Sequence, residues 1–162
     1  MAHPLTDISV LDLDGRSVRL GSLWEGRTAV FVFVRHFGCL FCRQQVADVG
    51  AHLDRIRATG ADVFVVGNGT VEEARAFCDE RHPAMPVLTD PTRRAYCAVG
   101  MRRGTGTVLR PSVFLKALRA LAAGFRQTRP AGDPLQQGGV VVMGRDGVER
   151  YRYVGEYAGE IG

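Results

Sequence analysis

The sequence predicts an α/β fold in which helices flank a central mixed sheet, with a β-hairpin at the N-terminus. Three observations carry this. An unbroken apolar run, Ala29-Val30-Phe31-Val32-Phe33-Val34, is rich in β-branched and aromatic residues and reads as a strand buried on both faces. Strand and helix patterns then alternate as far as Asp90, which implies βαβ crossovers and a parallel sheet core. Hairpin patterns stand at both ends of that core.

Residues 8–20 alternate in polarity around Asp14-Gly15, a strong hairpin signal. Residues 21–27 form a connector whose Leu23 and Trp24 are expected to pack on the sheet. The buried strand spans 29–35. From Leu40 toward Ala58, Val46, Val49, Leu53 and Ile56 recur at spacings of three and four, one stripe of an amphipathic helix ended by Gly60. Asp62–Val66 is a short buried strand. Thr70-Val71-Glu72-Glu73 is a capping box that opens a helix toward Glu80, with Ala74, Phe77 and Cys78 on its apolar side. Pro86–Asp90 is a third strand, and Pro91 starts a brief helix ending at Gly100. Ser112–Arg126 carries Phe114, Leu118, Leu121 and Phe125 on one helical face, expected to pack on the sheet. Thr128–Gly139 is rich in Gly, Pro and Gln and reads as a loop. Val140–Met143, a turn at 145–147 and Val148–Val154 make the terminal hairpin.

At 162 residues, with 46% hydrophobic and 23% charged content, the chain has the composition of one globular domain, residues 1–162. No window approaches the roughly 18 apolar residues of a membrane span. Residues 1–13 lack the basic-then-apolar pattern of a secretory signal, so a cytoplasmic location is expected. The net charge of +4 comes from Arg scattered among Asp and Glu, Lys116 being the single Lys. That pattern describes a solvated surface and argues against nucleic acid. Gly104-Thr105-Gly106 is too little for a phosphate loop.

Four cysteines, at 39, 42, 78 and 97, are too few for a disulfide scaffold. Structural zinc wants a second close pair, and Cys78 and Cys97 stand 19 positions apart. Cys39 and Cys42 instead lie where a buried strand hands over to a helix. Unpaired N–H groups and the helix dipole there favour thiolate over thiol. Arg35, His36 and Arg43 add positive potential, and His36 is also a candidate base. The candidate catalytic residues are therefore Cys39, Cys42, His36 and Arg35, against the blander alternative of two buried structural thiols. Cys39 is expected to be the more exposed of the pair, and Cys78 and Cys97 to be core residues. The chemistry needs no metal and no organic cofactor, because sulfur carries the electrons.

The segment Phe33-Val34-Arg35-His36-Phe37-Gly38-Cys39-Leu40-Phe41-Cys42 resembles the active-site segment of the AhpC/TSA-type peroxiredoxin-like proteins, the CxxC-bearing group that includes prostamide/prostaglandin F synthase. Met85–Pro91, Ala95–Gly100 and Gln137–Val142 are similar to segments that follow in that family, and the likeness runs over residues 8–155. It implies a thioredoxin-like fold and reduction of hydroperoxides through a thiolate, sulfenate and disulfide cycle. An external dithiol reductant such as a thioredoxin, and a homodimer, are the partners it suggests. Thiol–disulfide exchange on protein disulfides and a non-catalytic redox sensor are the alternatives. The family's Pro-x-x-x-Thr-x-x-Cys pattern would put Arg35 at the Pro position, Cys39 at the Thr position and Cys42 at the peroxidatic Cys. Its late-strand Arg would fall near Gly138. In a thioredoxin-like register Cys39 is the attacking thiol instead, so the order of attack stays open at this level.

Overall fold

The computed structural model describes residues 1–104, 111–124 and 131–155. The side chains of Phe114 and Phe125, the Gly104–Gly106 loop beyond its first residue, and the start of the 128–139 loop lie outside the described residues.

Seven strands form one mixed sheet: β1 (Ser9–Leu11), β2 (Ser17–Arg19), β3 (Thr28–Phe33), β4 (Ala61–Gly67), β5 (Val87–Thr89), β6 (Gly139–Met143) and β7 (Glu149–Val154). Their order is β2-β1-β5-β4-β3-β6-β7. The central β5-β4-β3 trio is parallel, while β1, β2, β6 and β7 join antiparallel. The expected α/β architecture with a central mixed sheet and an N-terminal hairpin is therefore observed. At that hairpin, Asp12 Oδ1 accepts the Asp14 and Arg16 N–H groups at 2.9 and 2.8 Å, and Gly15 supplies the positive φ.

Alternation along the parallel strands sends side chains to two cores. Phe31, Phe33, Phe64 and Val66 face one core with Trp24 and Tyr96, where Phe33 meets Tyr96 edge-on at 5.0 Å. Val32, Val34, Val63, Val65 and Val87 face the other. Burying each such side chain contributes about 1.5–3 kcal/mol, which is why this run reads apolar at every position.

Helices α1 (Leu40–Ala51), α2 (Leu53–Ala58) and α3 (Val71–Arg81) belong to the second core. The helix expected over 40–58 is interrupted at His52, whose φ of −107° and ψ of 5° leave the helical region. Its Nδ1 lies 2.9 Å from the Asp48 carbonyl oxygen, so the break is held from within the first helix. The capping box at Thr70 forms as expected. Helix α4 (Arg94–Ala98) is shorter than the 91–100 expectation, because Arg93 adopts a left-handed conformation at φ 59°.

Helix α5 (Pro111–Ala122) departs from expectation. Leu118 and Leu121, expected against the sheet, are about half exposed, and the buried residue on their turn is Ala120. The helix lies beside α1. Cys97, expected in the core, is exposed on α4, where Ala95 and Tyr96 are the buried residues.

Candidate active site

At the C-terminal end of β3 the chain leaves the sheet, crosses residues 34–39 and enters α1, with Cys39 as the N-cap residue. Phe37 anchors this crossing. Its ring lies over Gly67, where a Cβ would fall 2.1 Å from Phe37 Cζ, and stands 5.4 Å from the ring of Phe77. Only glycine leaves room there for the ring.

Cys39 and Cys42 face one another, and both are free thiols. The neighbouring Cys42 thiol is the largest cause of a Cys39 pKa lowered to about 7. Burial opposes the shift. The N–H groups of Cys42 and Phe41 and the charge of Arg35 support it. The neutral Cys39 thiol forms no capping hydrogen bond of regular geometry, so these N–H groups act on the charged form. Cys42 is pushed well above the ordinary thiol range, first by the Cys39 thiol beside it, then by burial. Its sulfur accepts the Arg35 N–H at 3.2 Å.

The expected exposure of Cys39 is not observed: Cys39 and Cys42 are 3% and 6% exposed and belong to the second core. Phe37, in the same cluster, draws the whole crossing inward. Arg35, His36 and Arg43 are buried as well. Arg35 donates from Nε to the Gln136 carbonyl at 3.0 Å and from Nη2 to the Pro134 carbonyl at 2.7 Å. Arg43 donates from Nε to the Phe37 carbonyl and holds Glu80 with both terminal nitrogens. The His36 ring is kept neutral, its pKa lowered to about 4 by burial and then by Arg35 and Arg43. Its Nδ1 has no hydrogen-bond partner among the described residues. The four candidate residues are thus brought together at one helix start.

A covering segment, 131–138, closes over them. The Ala131 carbonyl accepts the Phe37 N–H at 2.9 Å, and Asn68 bridges the crossing to the segment: its Nδ2 donates to the Arg35 carbonyl and its Oδ1 accepts the Asp133 N–H, both at 2.7 Å. Asp133 Oδ2 in turn pairs with Arg93 and Arg103. Beneath the site, the Tyr96 hydroxyl lies 2.6 Å from the Val34 carbonyl oxygen and 2.9 Å from that of Val66. Sequence reasoning missed Asn68, Asp133 and Tyr96. Asn68 had one usable signal, its place at the C-terminal end of a buried parallel strand; Asp133 had none. Cys78 is partly buried against the cluster that holds the pair. No group of three or more His, Cys, Asp or Glu among the described residues is placed to hold a metal ion.

The sequence profile of the AhpC/TSA antioxidant enzyme family matches residues 50–156. That match starts C-terminal to both cysteines of the pair. The chain is 32% identical over 152 residues to the thioredoxin-like protein AAED1, chloroplastic, of Arabidopsis thaliana, covering 88% of this chain and 61% of that protein. It is 32% identical over 157 residues to peroxiredoxin-like 2C of Mus musculus, covering 89% and 68%. Among solved structures, peroxidoxin BcpB of Mycobacterium tuberculosis superposes with a TM-score of 0.70 at 14% identity, over 97% of this chain and 86% of that one. The last likeness carries the fold.

Proposed function

We infer that this chain, which belongs to the AhpC/TSA antioxidant enzyme family, is a peroxiredoxin-like thiol oxidoreductase that reduces hydroperoxides through Cys39 and Cys42. The observation that carries the reading is two free thiols three residues apart at the start of α1, Cys39 at its N-cap and Cys42 on its first turn, with Cys39 pushed toward the thiolate and Cys42 toward the thiol. The Cys39 thiolate attacks the terminal oxygen of ROOH and the O–O bond breaks. That oxygen stays on sulfur as a sulfenic acid, and the leaving alkoxide takes up a proton as ROH. Cys42 attacks the sulfenic sulfur, the disulfide forms, and hydroxide leaves with the Cys42 proton as water. An external dithiol of the thioredoxin kind returns two electrons by exchange.

Arg35 supplies the positive charge in this reading. At Gly138, near the family's late-strand Arg position, a Cβ would lie 2.5 Å from the Phe33 carbonyl oxygen and 3.3 Å from Arg35 Cγ. The Phe33 carbonyl leaves no room for a side chain at 138, so the positive charge near the sulfurs comes from Arg35. His36 contributes an uncharged hydrogen-bonding nitrogen toward the substrate oxygen. Residues 1–162 act as one domain, alone or as a homodimer, and the location is cytoplasmic. Among the described residues no helix is long and apolar enough to cross a membrane.

The experiment is single-turnover reaction with hydrogen peroxide or an alkyl hydroperoxide, followed by dimedone trapping. Cys39→Ser is expected to abolish peroxide consumption. Cys42→Ser is expected to consume one equivalent and leave a trappable sulfenic acid on Cys39. A Cys39→Ser protein that reacts at the parental rate would sink the assignment. Thiol–disulfide exchange is the second reading, favoured by backbone N–H groups that stabilise the Cys39 thiolate without reference to peroxide. It predicts faster reaction with a disulfide substrate than with any hydroperoxide.

A further inference from the structure

Helix α5 turns an apolar side outward. Among the described residues the exposed leucines are Leu115, Leu118 and Leu121, at 56%, 49% and 50% exposure, and all three stand on this helix. At 3.6 residues per turn they form one stripe about 120° wide, and the fully buried Ala120 lies about 160° round from Leu118. The stripe and the buried side of the helix are thus opposite one another. The charge around it is one-sided. Between residues 91 and 132 the sequence holds nine Arg and Lys and neither Asp nor Glu. Asp133, the first acid beyond, pairs with Arg93 and Arg103, so the stretch stays strongly positive. Arg119 is exposed on the helix itself, about 100° round from Leu118, at the flank of the stripe. Outward leucines flanked by cations match a surface that offers hydrocarbon and negative charge together, as an anionic bilayer does at its headgroup boundary. A second copy of α5 matches less well. It would offer leucines but bring cation against cation, since the helix carries no acidic residue.

We propose that α5 docks on the surface of an anionic membrane, lying in its plane with Leu115, Leu118 and Leu121 at the acyl boundary and Arg119 at the level of the phosphates. The docking is peripheral and crosses nothing. It does not depend on the peroxidase reading, because neither Cys39 nor Cys42 takes part. The leucines supply apolar burial, which salt leaves intact. The cations supply attraction to the negative surface, roughly fivefold in partition for each one that reaches it, and salt screens that part.

The full chain is floated with phosphatidylcholine vesicles and with vesicles containing about one third phosphatidylglycerol. Binding to the anionic vesicles is expected to be on the order of tenfold tighter or more, and the difference should shrink as salt is raised. The double variant Leu118→Ser, Leu121→Ser should weaken binding to anionic vesicles on the order of tenfold or more, with thermal unfolding showing that the fold is kept. Arg119→Gln should weaken it roughly fivefold, and Arg119→Lys should restore it. Equal binding to the two kinds of vesicle, or binding that survives both the leucine and the Arg119→Gln changes, overturns the proposal. So does poly-glutamate that binds parent and leucine variant alike and as tightly as the anionic vesicles, because charge alone would then explain the attraction. A parent that ignores vesicles but forms a dimer in sedimentation equilibrium, lost in the leucine variant, also overturns it and gives the stripe to a second copy.

Discussion

Two sulfurs three positions apart are pushed in opposite directions, Cys39 toward the thiolate and Cys42 toward the thiol, because each is the other's ionisable neighbour. With Cys39 lowered to about 7 beside Cys42, its thiolate fraction rises as pH rises through neutrality. The rate of Cys39 alkylation or peroxide reaction should therefore climb with pH and reach half its plateau near pH 7. Arg35→Met removes a charge that favours the thiolate, so the midpoint should move up and the rate at pH 6 should fall several-fold. An unmoved midpoint would show that the guanidinium is structural only. His36 behaves in the opposite sense. Its pKa is about 4 in the fold against an ordinary 6.5, so the unfolded chain takes up the proton first as pH falls. Stability is full above pH 6.5 and is lost as pH drops toward 4, on the order of 2 kcal/mol by pH 5. Most of that loss precedes the carboxylates' titration. Urea midpoints at pH 7 and 5 should differ in the parent and differ less in His36→Asn; equal differences would remove His36 as the cause.

Elements decide who reaches those sulfurs. The crossing between β3 and α1 is packed inward by Phe37, and segment 131–138 covers it through Arg35, Asn68 and Asp133. Asp133 is the hub: its carboxylate pairs with Arg93 and Arg103 and also accepts the Leu135 N–H at 3.0 Å. Asp133→Ala removes all three tethers at once. Iodoacetamide should then alkylate Cys39 on the order of tenfold faster at constant pH, the change produced by about 1.4 kcal/mol in an opening equilibrium. An unchanged rate would mean that access is controlled elsewhere. Helix α5 teaches a different lesson at this scale. Its leucines are spaced as a core stripe would be, yet Leu115, Leu118 and Leu121 face outward. Periodicity identifies an amphipathic helix but not which of its faces meets the fold.

Across the whole molecule, the parallel order β5-β4-β3 gathers the candidate residues at the C-terminal ends of its strands, as connections in such folds require. Tyr96 ties α4 to that end of the sheet through the Val34 and Val66 carbonyls, deep in the first core. Tyr96→Phe leaves a buried carbonyl short of a donor and should cost about 1–3 kcal/mol of unfolding free energy. Thermal unfolding checks this, and a cost near zero would mean that the hydroxyl's two contacts are replaceable. By itself the sequence determined the apolar run of β3, the Asp14-Gly15 turn, the Thr70 capping box and the nearness of Cys39 and Cys42. All of these are local, set by side-chain period, turn chemistry and helix-end geometry within a few residues. Only the tertiary structure decided that both sulfurs are buried, that Cys97 is exposed, that the Phe33 carbonyl closes the space at Gly138, and that Asn68 and Asp133 secure the cover. Those facts depend on residues as far as 101 positions apart meeting in space, and no local pattern in a single chain records which distant groups will meet.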